Sequence, residues 1–228
     1  MGTTIDFPRT TSGTARGYLA SAKDPKAPGV VVIQEWWGLQ GQIQSVCDRL
    51  AGAGFTALAP DLYGGKVIPY HDKAAAAATM SSLDFRRSTD EEVRGAVRHL
   101  AARGAKVGLT GFCMGGAVTV IGAVRIPELS AAVCFYGLPP ESVARPEDVR
   151  VPLQGHFASR DDWCTPEVVD AFEKRLRAAG KSFEIHRYEG DHAFMNSERK
   201  EVHAPEAARL AWDRAVEFLR RHLGGPAR

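Results

Sequence analysis

A cysteine with a glycine two residues before it and two after it stands in the run Gly111-Phe112-Cys113-Met114-Gly115-Gly116. Residues of that kind act as nucleophiles when the backbone holds them at a sharp turn, and glycines at those offsets remove the side chains that would crowd such a turn. The preceding stretch, Lys106-Val107-Gly108-Leu109-Thr110, reads as a buried strand, and residues 117–124 continue as a helix. Cys113 is thereby predicted at the strand-to-helix junction. There the free N–H groups of the helix favour a thiolate and a developing oxyanion. Cys134 lies within the continuous apolar run 131–136 and reads as structural.

A nucleophilic thiol needs a base, and the base needs an orienting acceptor. Chains that carry such an elbow place the acid next in sequence and the histidine last. His192, in Gly190-Asp191-His192-Ala193-Phe194, follows the predicted strand 182–188 and precedes the final helix, which makes it the catalytic candidate. His156, His186, His203 and His222 fall at a strand end, within a strand, or near and within the last helix. The acid is expected in Ala158-Ser159-Arg160-Asp161-Asp162-Trp163-Cys164-Thr165-Pro166, where two aspartates compete. The spacing to Pro166 favours Asp162, leaving Asp161 as a surface or capping carboxylate; the reverse assignment stays open. Glu35 ends the first buried strand and is expected to face the crevice above the sheet. Next to it, the N–H of Trp36 can pair with that of Met114 as an oxyanion hole.

The elements that would position these groups alternate regularly. Strands are predicted at 29–34, 55–59, 106–110, 131–136, 151–156 and 182–188. Helices are predicted at 40–53, 89–103, 114–124, 166–179 and 205–222. Ser12-Gly13 suits the turn of an N-terminal hairpin, and Ser88 with Glu91, or Thr89 with Glu92, suits a capping box. This βαβ rhythm predicts an α/β fold with a mostly parallel central sheet flanked by helices on both faces, and 228 residues suit a single domain. The segment 64–72 reads as a pocket rim or lid, or equally as an ordinary surface loop.

Twenty-nine basic and 27 acidic residues give a formal charge of +2, and no basic run is interleaved with aromatics, so neither nucleic acid nor an anionic membrane is an expected partner. The start of the chain lacks a basic and apolar leader, and the four cysteines form no CxxC pair, which suits a soluble cytoplasmic protein. The expected state is a monomer or weak homo-oligomer. No metal or organic cofactor is expected.

Five motifs in order, Gln34-Glu35-Trp36-Trp37-Gly38, Ala59-Pro60-Asp61-Leu62-Tyr63, Gly111 to Gly116, Asp162-Trp163-Cys164-Thr165-Pro166 and His192-Ala193-Phe194, closely resemble the dienelactone hydrolase family of the α/β-hydrolase fold. The likeness covers nearly the whole chain. It implies a Cys113–His192–Asp162 triad with Glu35 as an extra member that accepts the thiol proton. The activity it implies is hydrolysis of a lactone or ester through a thioester acyl-enzyme. The other readings are a broad-specificity cysteine carboxylesterase or thioesterase, and a redox-sensing or binding protein on the same scaffold. Trp37, Phe194 and Asn196 are expected at the substrate. Asn196 stands four residues after the histidine, where well-known members carry an arginine for the substrate carboxylate; an uncharged amide there implies a preferred substrate other than the same dienelactone, unless Lys66, Arg86 or Arg87, each more often a solvated surface charge, supplies the cation.

Overall fold

In the computed structural model, which describes residues 1–224, eight strands build the centre. They are β1 (Thr3–Pro8), β2 (Thr14–Ala20), β3 (Gly29–Ile33), β4 (Thr56–Pro60), β5 (Val107–Phe112), β6 (Leu129–Phe135), β7 (Leu153–Arg160) and β8 (Phe183–Asp191). They form one sheet in the order β1-β2-β4-β3-β5-β6-β7-β8. β1 and β2 are the antiparallel hairpin that Ser12-Gly13 predicts, with Gly13 in the left-handed region at φ 79°. β2 meets β4 antiparallel, and every later neighbour pair is parallel.

Among the described residues, seven α-helices connect and cover the strands: α1 (Gly41–Gly52), α2 (Lys73–Ser81), α3 (Phe85–Ser88), α4 (Arg94–Ala101), α5 (Met114–Arg125), α6 (Pro166–Ala178) and α7 (Pro205–Leu223). β3 shows why its sequence is apolar without alternation. Val30 and Val32 pack with Ile43 and Leu50 of α1 and Phe218 of α7, whereas Val31 and Ile33 pack with Val97 and Leu100 of α4 and Val118 of α5. A strand buried on both faces has no polar side to show. Among the described residues, no helix is long and apolar enough to cross a membrane.

Two boundaries differ from the sequence expectation by four residues. The helix predicted from residue 89 begins at Phe85, because Asp84 caps it by accepting from the Arg87 N–H at 3.0 Å. Ser88 and Thr89, the expected caps, lie buried inside, and a π-turn over Thr89–Val93 joins α3 to α4. β7 also runs four residues past His156, since Ala158 and Arg160 still pair with Tyr188 and Asp191 of β8. The loop after β7 therefore starts at Asp161.

One row of rings crosses the sheet beneath the loops that carry the candidate site. Phe112 stacks on Phe135 at 4.6 Å, Phe135 on His156 at 4.6 Å, and His156 meets His186 at 5.3 Å. His156 is fully buried. Its Nε2 lies 2.8 Å from Gln154 Oε1 and its Nδ1 lies 2.8 Å from the Tyr188 hydroxyl. An amide oxygen can only accept, so Nε2 carries the proton and Nδ1 accepts from Tyr188, whose oxygen in turn accepts from Arg214. This neutral ring has both nitrogens satisfied, and burial, with His186 and Arg214 nearby, holds its pKa well below the usual histidine value. On unfolding below about pH 6.5 the freed imidazole takes up a proton that the folded protein refuses. Stability is thus expected to fall as pH drops below that value, by up to about 1.4 kcal/mol per pH unit from this group. Denaturant titrations at pH 7.5, 6.5 and 5.5 should show a shallower decline in His156→Gln; an equal slope in both proteins would remove His156 as the cause.

Candidate active site

Cys113 follows β5 directly and precedes α5, in a backbone conformation of φ 56° and ψ −120° that an L-residue adopts only under constraint. Close approaches impose it. A Cβ at Gly115 would lie 2.5 Å from the Ile33 carbonyl oxygen, and one at Gly111 would strike the Gly115 carbonyl. Gly116 is equally tight, 2.5 Å from the Phe135 carbonyl oxygen. The Cys113 N–H donates to Phe135 O at 3.0 Å, and its own carbonyl accepts from Gly116 at 2.8 Å. Cys113 as a whole is 6 % exposed, on the wall of a cavity of about 540 Å³. Met114 is the first residue of α5, where an N–H has no partner one turn back. Because Ile33 pairs with Gly111, the loop carrying Trp36 rises beside the elbow, and the two expected oxyanion donors stand on that loop and at the start of α5, after neighbouring strands.

His192 lies in the loop after β8. Its Nδ1 meets Asp161 Oδ2 at 2.8 Å, and it shares the cavity wall with Cys113, whose sulfur acts on the imidazole electrostatically. The carboxylate is therefore Asp161, not Asp162. Continuation of β7 to Arg160 makes Asp161 the first loop residue and turns it inward, with its side chain 0 % exposed. Its Oδ1 accepts from the N–H groups of Trp163 and Cys164 at 2.8 and 2.9 Å. Asp162 points to solvent at the cavity rim. Burial alone would raise the Asp161 pKa, but the His192 contact and the two backbone donors outweigh it and hold it low. For His192 burial acts in the opposite sense to its partners. Asp161 and Cys113 prevail and lift its pKa to about 10, which makes an imidazolium at neutral pH.

Glu35 lines the same cavity while only 2 % exposed. The Asn196 amide donates to its Oε2 at 2.7 Å and the Tyr136 hydroxyl to its Oε1 at 3.3 Å. Burial raises its pKa, against the opposing pull of Asn196, His192, Arg199 and Tyr136. Asn196 is fully buried on Glu35 and does not present its amide to a substrate. Phe194 is likewise a core residue, its ring 5.4 Å from Tyr136 and 5.2 Å from Tyr188. Both turn inward because Ala193, at φ 67°, reverses the chain just after His192. Trp36 and Trp37 do line the cavity, edge to face at 5.0 Å, and Tyr70 packs edge-on against Trp37 at 5.4 Å.

The expected cations lie elsewhere. Lys66 and Arg87 border a separate hollow behind α2, and Arg86 bonds the Ser142 carbonyl. The cavity instead receives Arg199, Lys73 and Arg160. Arg160 is engaged by Asp191 at 3.0 Å and Glu189 at 3.3 Å. Arg199, its side chain 13 % exposed, lies 5.7 Å from the Trp37 ring and bonds the exposed Glu201 at 2.9 Å. No local pattern marks Arg199 in the sequence; it reaches the cavity through the fold of the 192–204 loop. Tyr136 has a signal in hindsight: a bulky residue before Gly137 at a strand end, held at φ 38°. Among the described residues, no three His, Cys, Asp or Glu side chains converge as metal ligands would.

Exchange of Asp161 for Asn is expected to lower the His192 pKa from about 10 toward the ordinary imidazole value and to cost activity heavily, while Asp162→Asn changes neither. Histidine titration by NMR on both variants checks the assignment, and matching shifts would refute it.

Comparison with known proteins bears on the family and the fold. The family model described as "Dienelactone hydrolase family" matches residues 15–223. Protein usf of Aquifex pyrophilus is 34 % identical over 98 % of this chain and all of its own. A Bradyrhizobium protein assigned as a 2-oxo-3-(5-oxofuran-2-ylidene)propanoate lactonase is 32 % identical, covering 94 % of this chain and 93 % of that one. A solved structure from Klebsiella pneumoniae subsp. pneumoniae, assigned as a dienelactone hydrolase, superposes with a TM-score of 0.85 at 27 % identity, over 97 % of this chain and 99 % of that one.

Proposed function

The chain belongs to the dienelactone hydrolase family, with its α/β-hydrolase architecture, and from that premise we propose that it hydrolyses small carboxylate-bearing lactones or esters with Cys113 as nucleophile. The observation that carries the reading is the alignment of Asp161, His192 and Cys113 at a strained elbow opening on a cavity. In the reaction the Cys113 sulfur adds to the carbonyl carbon while the N–H groups of Trp36 and Met114 hold the oxygen anion. Collapse breaks the bond to the ring or ester oxygen, which leaves with a proton from the His192 imidazolium. Water then attacks the thioester. His192 takes a proton from that water and the thiolate departs, which restores the starting state.

Arg199 supports the anionic character of the substrate. Its guanidinium lines the cavity and is mostly buried, and its protein partner, Glu201, is exposed. The Bradyrhizobium relative is assigned to a lactone that carries a carboxylate, which fits the same chemistry. Replacing Cys113 by Ala is expected to abolish turnover of lactones and esters alike with the fold retained, and substantial residual turnover would remove the nucleophile from the reading. Arg199→Met is expected to lower kcat/KM about tenfold for a carboxylate-bearing lactone, about 1.4 kcal/mol, and to change a neutral ester of similar size by less than about twofold. Steady-state kinetics on both substrates decides it: an equal loss on each would mean that Arg199 supports the cavity without reading charge.

A further inference from the structure

Tyr136 joins the two halves of the site. It follows β6 with φ 38°, a conformation in which a tyrosine is strained, and it is fully buried. Its N–H donates to His156 O at 2.8 Å, which ties the strained residue to the row of rings across the sheet. From there its ring stands edge-on to His192 at 5.2 Å and to Phe194 at 5.4 Å, and its hydroxyl reaches Glu35 Oε1 at 3.3 Å. The other carboxyl oxygen is held by Asn196, whose Oδ1 accepts from the Glu198 N–H at 3.1 Å. Glu198 Oε2 accepts in turn from the Tyr70 hydroxyl at 2.8 Å, which pins the segment before α2 to the same loop. The carboxyl group thus has one neutral donor on each oxygen and each donor is fixed from behind.

We propose that Tyr136 and Asn196 are positioning residues that hold Glu35 as a carboxylate within reach of the Cys113 thiol, so that the two donors set how readily Glu35 takes the thiol proton. The inference rests on Cys113 as the nucleophile but on no particular substrate. Around Glu35 the charged and titratable groups are His192 and Arg199 from the loop after β8, Tyr70 from the segment before α2, Tyr136 after β6 and Cys113 at the elbow. Both cations favour the carboxylate. Burial opposes it, and the two neutral donors offset that opposition at short range. Loss of either donor makes Glu35 more basic, so it takes the Cys113 proton more readily and the thiolate persists to lower pH.

The test is the pH dependence of Cys113 alkylation by iodoacetamide, followed by mass spectrometry on the whole protein, which needs no substrate. Tyr136→Phe keeps the ring and removes only the hydroxyl. It is expected to move the acid limb of the alkylation rate downward by about one pH unit, the usual worth of a hydrogen bond to a charged group. Asn196→Asp, of equal size, should move it further in the same direction, because a second carboxyl then faces the first. In a Glu35→Gln background the Tyr136→Phe shift should vanish. An unmoved limb in Tyr136→Phe, or the same shift with and without Glu35, would overturn the proposal. Cys113 that resists alkylation at every pH while another cysteine reacts would instead overturn the nucleophile assignment. Should Tyr136→Phe fail to fold, Asn196→Asp against Glu35→Gln gives the same comparison.

Discussion

The approach of α5 to the ends of β3 and β6 is the constraint on which the rest of the molecule depends. Gly115 lies against the Ile33 and Gln34 carbonyls, Gly116 against Phe135, and Gly137 against the Cys113 carbonyl. Backbone meets backbone at these points, so no side chain has room to bend aside, and any Cβ would force strands or helix apart. The unusual φ of Cys113 follows from that contact. So does the placement of the site, since the loops bearing Glu35 and Tyr136 are drawn to either side of the sulfur by the same strand ends. Strain of about 1–3 kcal/mol at such a residue persists because the surrounding packing over-determines it.

Three carboxyl groups near one another are driven to different ends by environment. Asp161 is buried yet surrounded by donors, so it stays ionised and holds His192 charged. Glu35 is equally buried but has only two neutral side-chain donors, and its proton affinity rises. Asp162 is exposed at the rim. The sense of each shift follows from counting hydrogen bonds against burial, and it separates an orienting acid from a proton acceptor without reference to sequence position.

What was legible in the sequence was local. The elbow depends on glycines within six residues, and the strand runs on continuous apolar stretches, so both read directly. His192 followed from chain order alone. The acid did not, because Asp161 and Asp162 differ by one residue and the choice turns on where β7 stops pairing with β8, a matter of register that spacing to Pro166 does not encode. Asn196 and Phe194 were expected at the substrate and lie in the interior, since the turn at Ala193 sends the following residues inward. Arg199 reaches the cavity by the path of a loop, and Tyr136 serves the site from the end of a strand whose role in the sequence is only to be apolar. The helix start moved from Thr89 to Phe85 for a similar reason: Asp84 and Ser88 are both good caps, and only packing distinguishes them.

The positions of the tryptophans give the protein a built-in optical signal. Three of the four, Trp36, Trp37 and Trp163, border the cavity, and the fourth, Trp212, lies under Arg49 at 3.8 Å. Trp163 is 42 % exposed with its ring 5.4 Å from His192, close enough for a protonated imidazole to quench indole emission. Intrinsic fluorescence thereby reports the charge state of the histidine and the filling of the pocket, and it does so in the unmodified chain without a chromogenic ligand.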